Sequence, residues 1–125
     1  MSTQVDVGAL ADQMDKYGYA YLMTVGDSGR VHAVAVHPTL SDGVVIVAEG
    51  GGRTLHNAAA RPAISLVWPP AAGGGYSLIV DGDARQDDGI LSITPTRAVL
   101  HRAATPVLVG AAADDDSCRA DCIEL

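Results

Sequence analysis

Positively charged residues are scarce in this chain. Eight Lys and Arg stand against 15 Asp and Glu in 125 residues, which gives a formal net charge of −7. Such an excess of negative charge repels a phosphate backbone unless the basic residues cluster on one face. Nucleic acid is therefore not expected as a partner.

Long apolar runs and structural cysteines are also missing. No stretch of about 18 apolar residues occurs, and the N-terminus lacks the basic, apolar and small-residue segments of a secretory signal. The two cysteines, Cys118 and Cys122, lie in the last eight residues, so they cannot cross-link a core as they do in secreted disulfide-rich domains. We expect a cytoplasmic protein without a membrane partner.

Apolar material, in contrast, is ample for one core. Hydrophobic residues make up 48% of the chain and charged residues only 18%, a balance that favours folding over disorder. A chain of this size buries roughly two thirds of its unfolded surface. We therefore expect one domain, over residues 1–110.

The C-terminal residues 111–125 have a different composition. They are rich in Ala and Asp and carry little apolar bulk, which predicts a flexible acidic tail. Cys118 and Cys122 are four residues apart there, so their thiols either meet at a soft metal ion, form a local disulfide, or stay reduced in a disordered tail. The reduced tail is the favoured interpretation, and no metal site is predicted.

Hydrophobic periodicity predicts a mainly β fold. Apolar residues at three- and four-residue steps over 6–16 predict an amphipathic helix, and an Ala-rich stretch between a Gly triplet and Pro62 predicts a second. Alternating or β-branched runs predict strands at 19–25, 31–36, 44–48, 64–68, 76–80, 80–85, 90–94 and 98–101. Gly, Asp and Ser mark turns at 26–29 and 39–43. The pattern is typical of a small antiparallel barrel of six or seven strands, with one or two short helices.

The order of these segments resembles a known family. A strand and turn, Thr24-Val25-Gly26-Asp27-Ser28-Gly29-Arg30, precede the strand 31–36, and a later loop and helix start read Gly51-Gly52-Arg53-Thr54-Leu55-His56-Asn57, before Arg61-Pro62 and another strand. This order, over about residues 19–85, is similar to that of the pyridoxamine 5'-phosphate oxidase-like split barrels. The resemblance implies a split β-barrel homodimer that binds FMN, or a deazaflavin coenzyme, in a groove between the subunits.

The resemblance also implies positions for the cofactor. The phosphate falls at Arg53 and Thr54, and the ring falls along the second and third strands, at Val34, Ala35, Val36, His37, Val47 and Ala48. Arg53 suits an anion site on its own chemistry, because a guanidinium beside a helix start can bind phosphate together with backbone N–H groups. Gly52 and Thr54 replace the family's phosphate-binding Ser and Lys, and Glu49 would weaken phosphate binding if it faced the same pocket.

Other side chains allow two interpretations each. His56, three residues after Arg53, is either a second phosphate donor or simply exposed. His37 either approaches the cofactor or caps a strand end, and Trp68 either stacks on the ring or is buried at the barrel end. Structural roles are expected for His32 and His101, and Arg30 is expected to lie away from the phosphate.

Two functions follow from this sequence. The first is an FMN- or deazaflavin-dependent oxidoreductase, in which the cofactor carries the chemistry because no nucleophile motif is present. The second is a non-catalytic dimeric module that keeps the barrel but has lost the cofactor, and the missing basic residues favour it. The sequence specifies no substrate.

Overall fold

The chain forms one antiparallel sheet with two short helices packed against it. The computed structural model describes residues 2–104, to which all structural statements below refer. A 3-10 turn (Val7–Ala9) leads into helix α1 (Leu10–Met14), and helix α2 (Gly52–Ala60) lies between the fifth and sixth strands. The strands are β1 (Ser2–Val5), β2 (Ala20–Val25), β3 (Val31–Val36), β4 (Thr39–Ser41), β5 (Val44–Val47), β6 (Ala63–Trp68), β7 (Ser77–Asp87) and β8 (Ile90–His101).

The sheet is a barrel that does not close. Its strands are hydrogen-bonded in the order β3-β2-β6-β7-β8-β5-β4, and β1 pairs with the C-terminal part of β8. Within residues 2–104, the two end strands of this order, β3 and β4, do not pair with each other. This arrangement confirms the split barrel predicted from the sequence.

Strand alternation places one side of the sheet in the core. In β2, Ala20, Leu22 and Thr24 are fully buried, whereas Tyr21 and Met23 point to the other side, because successive side chains of a strand face opposite ways. The largest fully buried apolar side chains are Leu10, Leu22, Leu66, Leu78, Leu91 and Ile93. Leu10 comes from α1, so this helix covers part of the core as the periodicity predicted.

Two tight Asp-Gly turns make hairpins of neighbouring strands. Asp42 and Gly43 have φ of 50° and 77°, and Asp88 and Gly89 have φ of 56° and 80°. Positive φ at both central residues is the signature of the two-residue turn that matches strand twist. The turn at Asp42-Gly43 explains why residues 39–41, predicted as linker, form the short strand β4 against β5.

Four of the predicted strands are parts of two longer strands. The segments 76–80 and 80–85 are continuous as β7, and 90–94 and 98–101 are continuous as β8. Pro95 lies between these last two segments, and it falls between the part of β8 that pairs with β5 and the part that pairs with β1. A register shift beside Asp81 and Gly82 accommodates it.

The N-terminal residues form a strand that was not predicted, and most of the predicted C-terminal tail lies outside the described residues. Residues 2–5, which carried no predicted element, pair with β8 as β1. Most of the predicted tail and both cysteines fall in 105–125, outside the described residues. No helix found between residues 2 and 104 is long and apolar enough to cross a membrane.

Candidate functional site

An open groove of about 530 Å³ lies between the β2–β3 turn and helix α2. The turn is closed by hydrogen bonds from Gly26 N to Arg30 O (2.8 Å) and from Gly29 N to Gly26 O (2.9 Å), and Gly29 supplies the positive φ of 86°. The groove is lined by Gly26, Asp27, Ser28, Arg30, Val31, His32, Arg53, His56 and Asn57. The contact between the β2–β3 hairpin and helix α2 therefore brings these polar side chains together in one groove.

Two arginines give the groove positive charge. Arg30 comes from the turn and Arg53 from the first turn of α2. Neither takes part in any of the ion pairs formed within residues 2–104. Two guanidiniums without a carboxylate partner, beside a helix N-terminus, are suited to bind an anion.

The one carboxylate of the groove is already engaged. Asp27 accepts hydrogen bonds from Arg61 and from His56 Nε2, the latter at 3.0 Å. Arg61 also donates from Nε to the carbonyl of Val25 at 2.9 Å, which fixes the guanidinium at the C-terminal end of α2. The bond from Arg61, followed by the contact with His56, lowers the pKa of Asp27. The negative charge of Asp27 is thus offset by Arg61, and Arg30 and Arg53 stay available.

A buried amide joins the helix to the sheet. Asn57 is 2% exposed, and its Nδ2 donates to Thr24 Oγ1 at 3.1 Å. Thr24 is fully buried in β2, so the bond satisfies two polar groups that would otherwise lie unpaired in the core. This contact holds α2 across the end of β2 and positions Arg53 and His56 over the β2–β3 turn.

A second cluster lies where β3 and β5 end. Glu49 Oε1 accepts the backbone N–H of His37 at 2.9 Å, and Glu49 Oε2 lies 3.1 Å from His37 Nδ1. The backbone hydrogen bond, and after it the contact with the ring, lower the pKa of Glu49. Glu49 does not line the arginine groove, and it therefore does not face the same groove as Arg53.

The residues predicted for the site fall into two groups, one with buried and one with exposed side chains. Val36, Val47 and Thr54 are buried in the interior, at 1%, 0% and 1% exposure, and Val34 packs against the core. The side chains of Val36, Val47 and Thr54 therefore do not reach a ligand on the outer surface. Exposed positions are held by Ala35, His37, Ala48 and Arg53. Arg53 thus lies in the groove beside the β2–β3 turn, whereas His37 contacts Glu49, just after the end of β5.

The remaining alternatives are resolved in different ways. Trp68 is 2% exposed and belongs to the core, so its ring cannot stack on a surface ligand. His56 does line the groove, but its Nε2 is bound to Asp27. Arg30 and His32 line the same groove as Arg53. No local signal in the sequence could reveal this, because the contact between α2 and the hairpin is a tertiary one.

Two mycobacterial proteins are close relatives over their full length. The uncharacterized protein Mb0449c of Mycobacterium bovis is 43% identical over 136 aligned residues, which cover 96% of this chain and 94% of the relative. The uncharacterized protein MT0457 of Mycobacterium tuberculosis matches with the same values. The chain belongs to their family. No protein-family model matches it.

Solved structures with the same fold cover most of this chain. An FAD-binding protein from Mycobacterium smegmatis superposes with a TM-score of 0.60 at 18% identity, covering 82% of this chain and 100% of that one. A protein of the pyridoxinephosphate oxidase family from Clostridium acetobutylicum gives 0.60 at 14% identity (78% and 91%), and an F420 reductase gives 0.59 at 16% (70% and 93%). The chain has the fold of the pyridoxamine 5'-phosphate oxidase-like split barrels, as its sequence predicted.

Proposed function

We propose that the chain is a homodimeric oxidoreductase that binds FMN or a deazaflavin coenzyme. Arg30 and Arg53 bind the cofactor phosphate, and the ring lies along the outward positions Ala35, His37 and Ala48. The proposal rests on the groove, where two arginines without an ion-pair partner among residues 2–104 meet the start of a helix. Structural neighbours that are an F420 reductase and an FAD-binding protein support a cofactor of this type.

The groove fits a phosphate better than the sequence suggested. Arg30 takes the place of the missing family lysine as the second cationic donor. Gly51 and Gly52 have open space where a side chain would stand, so a ligand can approach the free N–H groups at the start of α2. A bound flavin-type cofactor supplies hydride transfer. The chain's own residues then bind the phosphate, orient the ring and limit access to water.

The dimer is proposed from the outer face of β3, β2 and β6. Exposed apolar side chains cover it, with Val31 at 65% and Tyr21 at 40% exposure. The outer face of an antiparallel sheet is usually polar when it faces water, and an apolar face of this kind marks an interaction surface. The face includes Tyr19, Tyr21, Met23, Val31, Ala33, Ala35 and Val67.

A charge at the centre of this face should separate the subunits. Ala33 is exposed on β3 opposite Met23, so Ala33→Glu would bury two carboxylates across a twofold interface. Light scattering at micromolar concentration should give a dimer mass for the parent and a monomer mass for the variant. Ser92→Glu, on the outer face of β8, is the control and should stay dimeric. A monomeric parent would refute the dimer.

Titration of the cofactor-free protein tests the cofactor itself. FMN should bind with quenched fluorescence, and riboflavin, which lacks the phosphate, should bind roughly tenfold or more weakly, because a charge-assisted hydrogen bond is lost. A deazaflavin coenzyme is titrated in the same way and decides between the two cofactors. Equal binding of FMN and riboflavin would exclude the phosphate role of the groove. If neither FMN nor the deazaflavin binds, the non-catalytic dimeric module is the correct alternative.

A further inference from the structure

Two exposed histidines of this chain contact carboxylates through different ring nitrogens. His37 uses Nδ1, which lies 3.1 Å from Glu49 Oε2. His56 uses Nε2, which lies 3.0 Å from Asp27 Oδ2. The side chains of His37 and His56 are both exposed, at 74% and 61%, so the two rings can be compared by the nitrogen that faces the carboxylate.

Glu49 holds His37 at two points. One carboxylate oxygen accepts the main-chain N–H of His37 and the other faces Nδ1 of the ring. An ionised carboxylate only accepts hydrogen bonds, so the ring nitrogen that faces it must carry the hydrogen. In the neutral imidazole, Nε2 is then the nitrogen with a free lone pair. No hydrogen bond within residues 2–104 uses this Nε2.

The pair occupies a defined place in the fold. His37 directly follows β3, and Glu49 comes two residues after the end of β5, so the pair bridges two strand ends. Pro38 restricts the backbone of His37 to an extended conformation. The outward positions Ala35 and Ala48, where we propose the cofactor ring, are two residues from His37 and adjacent to Glu49. A base held by a carboxylate beside a ligand surface is the arrangement of an oriented catalytic base.

We propose that His37 and Glu49 form a proton-transfer dyad, in which Glu49 fixes the Nδ1–H tautomer and Nε2 of His37 exchanges a proton with the substrate. This inference rests on the proposed function for its place in the reaction. Its substrate class is a compound with an ionisable O–H or N–H group at the carbon that is oxidised. His37 Nε2 would take the O–H or N–H proton while the C–H bond of that carbon breaks, and the bound flavin-type cofactor would be the acceptor of the hydride. In the reverse direction His37 would return the same proton.

Histidine nitrogen chemical shifts measure the tautomer without any cofactor. At about pH 8, above the ordinary histidine pKa, the parent protein should show His37 protonated at Nδ1 and His56 protonated at Nε2. In Glu49→Gln, whose neutral amide can face the ring either way, His37 should lose its single tautomer. A parent in which His37 is protonated mainly at Nε2 would refute the dyad, and this arm needs no variant to fold.

Acylation by diethyl pyrocarbonate measures whether Nε2 is free. Peptide mass spectrometry should find His37 modified faster than His56, since the Nε2 of His56 is occupied by Asp27 although both rings are exposed. Glu49→Gln should slow His37 by roughly two- to fivefold, the range expected for loss of one exposed charged pair. Asp27→Asn is the matched variant and should accelerate His56 while leaving His37 unchanged. Equal rates for His37 in the parent and in Glu49→Gln would overturn the proposal.

A final arm separates the dyad from the cofactor hypothesis. With saturating FMN or deazaflavin, whichever the titration shows to bind, His37 should be protected from acylation. Binding without protection would show that the ring does not lie beside His37, and the dyad would then have no place in the reaction. If neither cofactor binds, the proposed function fails and the catalytic role of the dyad fails with it, whereas the tautomer result still establishes whether Glu49 orients the ring.

Discussion

Replacing Arg53 with alanine should weaken FMN binding roughly ten- to hundredfold, because a hydrogen bond between charged groups contributes about 1.5–3 kcal/mol. Arg53 is exposed and has no ion-pair partner within residues 2–104, so its removal leaves no buried charge behind. The melting temperature and circular dichroism spectrum should match the parent. Fluorescence titration of the cofactor-free protein measures the change in affinity.

Arg30→Ala should act in the same direction, because Arg30 lines the same groove as Arg53. The double variant should bind FMN no better than riboflavin, since the phosphate would then have no cationic partner left in the groove. Arg85→Ala is the matched control: Arg85 is exposed on β7 and lines a separate surface depression with Ser92 and Asp87. If Arg85→Ala weakens binding as much as Arg53→Ala, the groove is not the phosphate site.

The fold could be predicted because its determinants are local. Strand alternation, the Asp-Gly turns and the Gly triplet before α2 are properties of neighbouring residues, and all three are readable in the sequence. The prediction of two separate strands, 90–94 and 98–101, where the structure has the single strand β8, shows the limit of this approach. A proline lacks the N–H that a ladder needs, but whether that N–H is needed depends on which strands flank β8 at that point. The sequence alone does not reveal which strands pair with β8 on either side of Pro95.

The candidate site was predictable only in part, for the same reason. Arg53 could be recognised beside a helix start, whereas Arg30 and His32 reach the groove only because α2 crosses the β2–β3 turn. That crossing depends on the bond between Asn57 and Thr24, residues 33 positions apart. Likewise, Glu49 was identified as a threat to phosphate binding, but its partner His37 lies 12 residues away on another strand end. Tertiary contacts of this kind decide which polar side chains meet.

Among the glycines within residues 2–104, Gly82 in the middle of β7 has the least room for a side chain. A Cβ built there would lie 2.6 Å from the carbonyl oxygen of Thr94 and 2.7 Å from Cγ2 of Ile93. Real Cβ atoms do not approach other atoms so closely, and the nearer obstacle is backbone of the paired strand rather than a movable side chain. Relief would require β7 and β8 to separate at the point where their register shifts, which is also the point that accommodates Pro95.

Gly82→Ala should therefore lower the free energy of unfolding by about 2–3 kcal/mol, the upper part of the range for overpacked interiors. At roughly 4–8 °C for each kcal/mol in a domain of this size, the melting temperature should fall by about 8–24 °C. Gly18→Ala is the control, since a Cβ there meets nothing within 4 Å and its φ is not positive. That variant should stay within about 0.5 kcal/mol of the parent. Urea unfolding of both variants measures the difference, and equal midpoints would show that β7 and β8 do not approach as closely at Gly82 as the distances to Thr94 and Ile93 indicate.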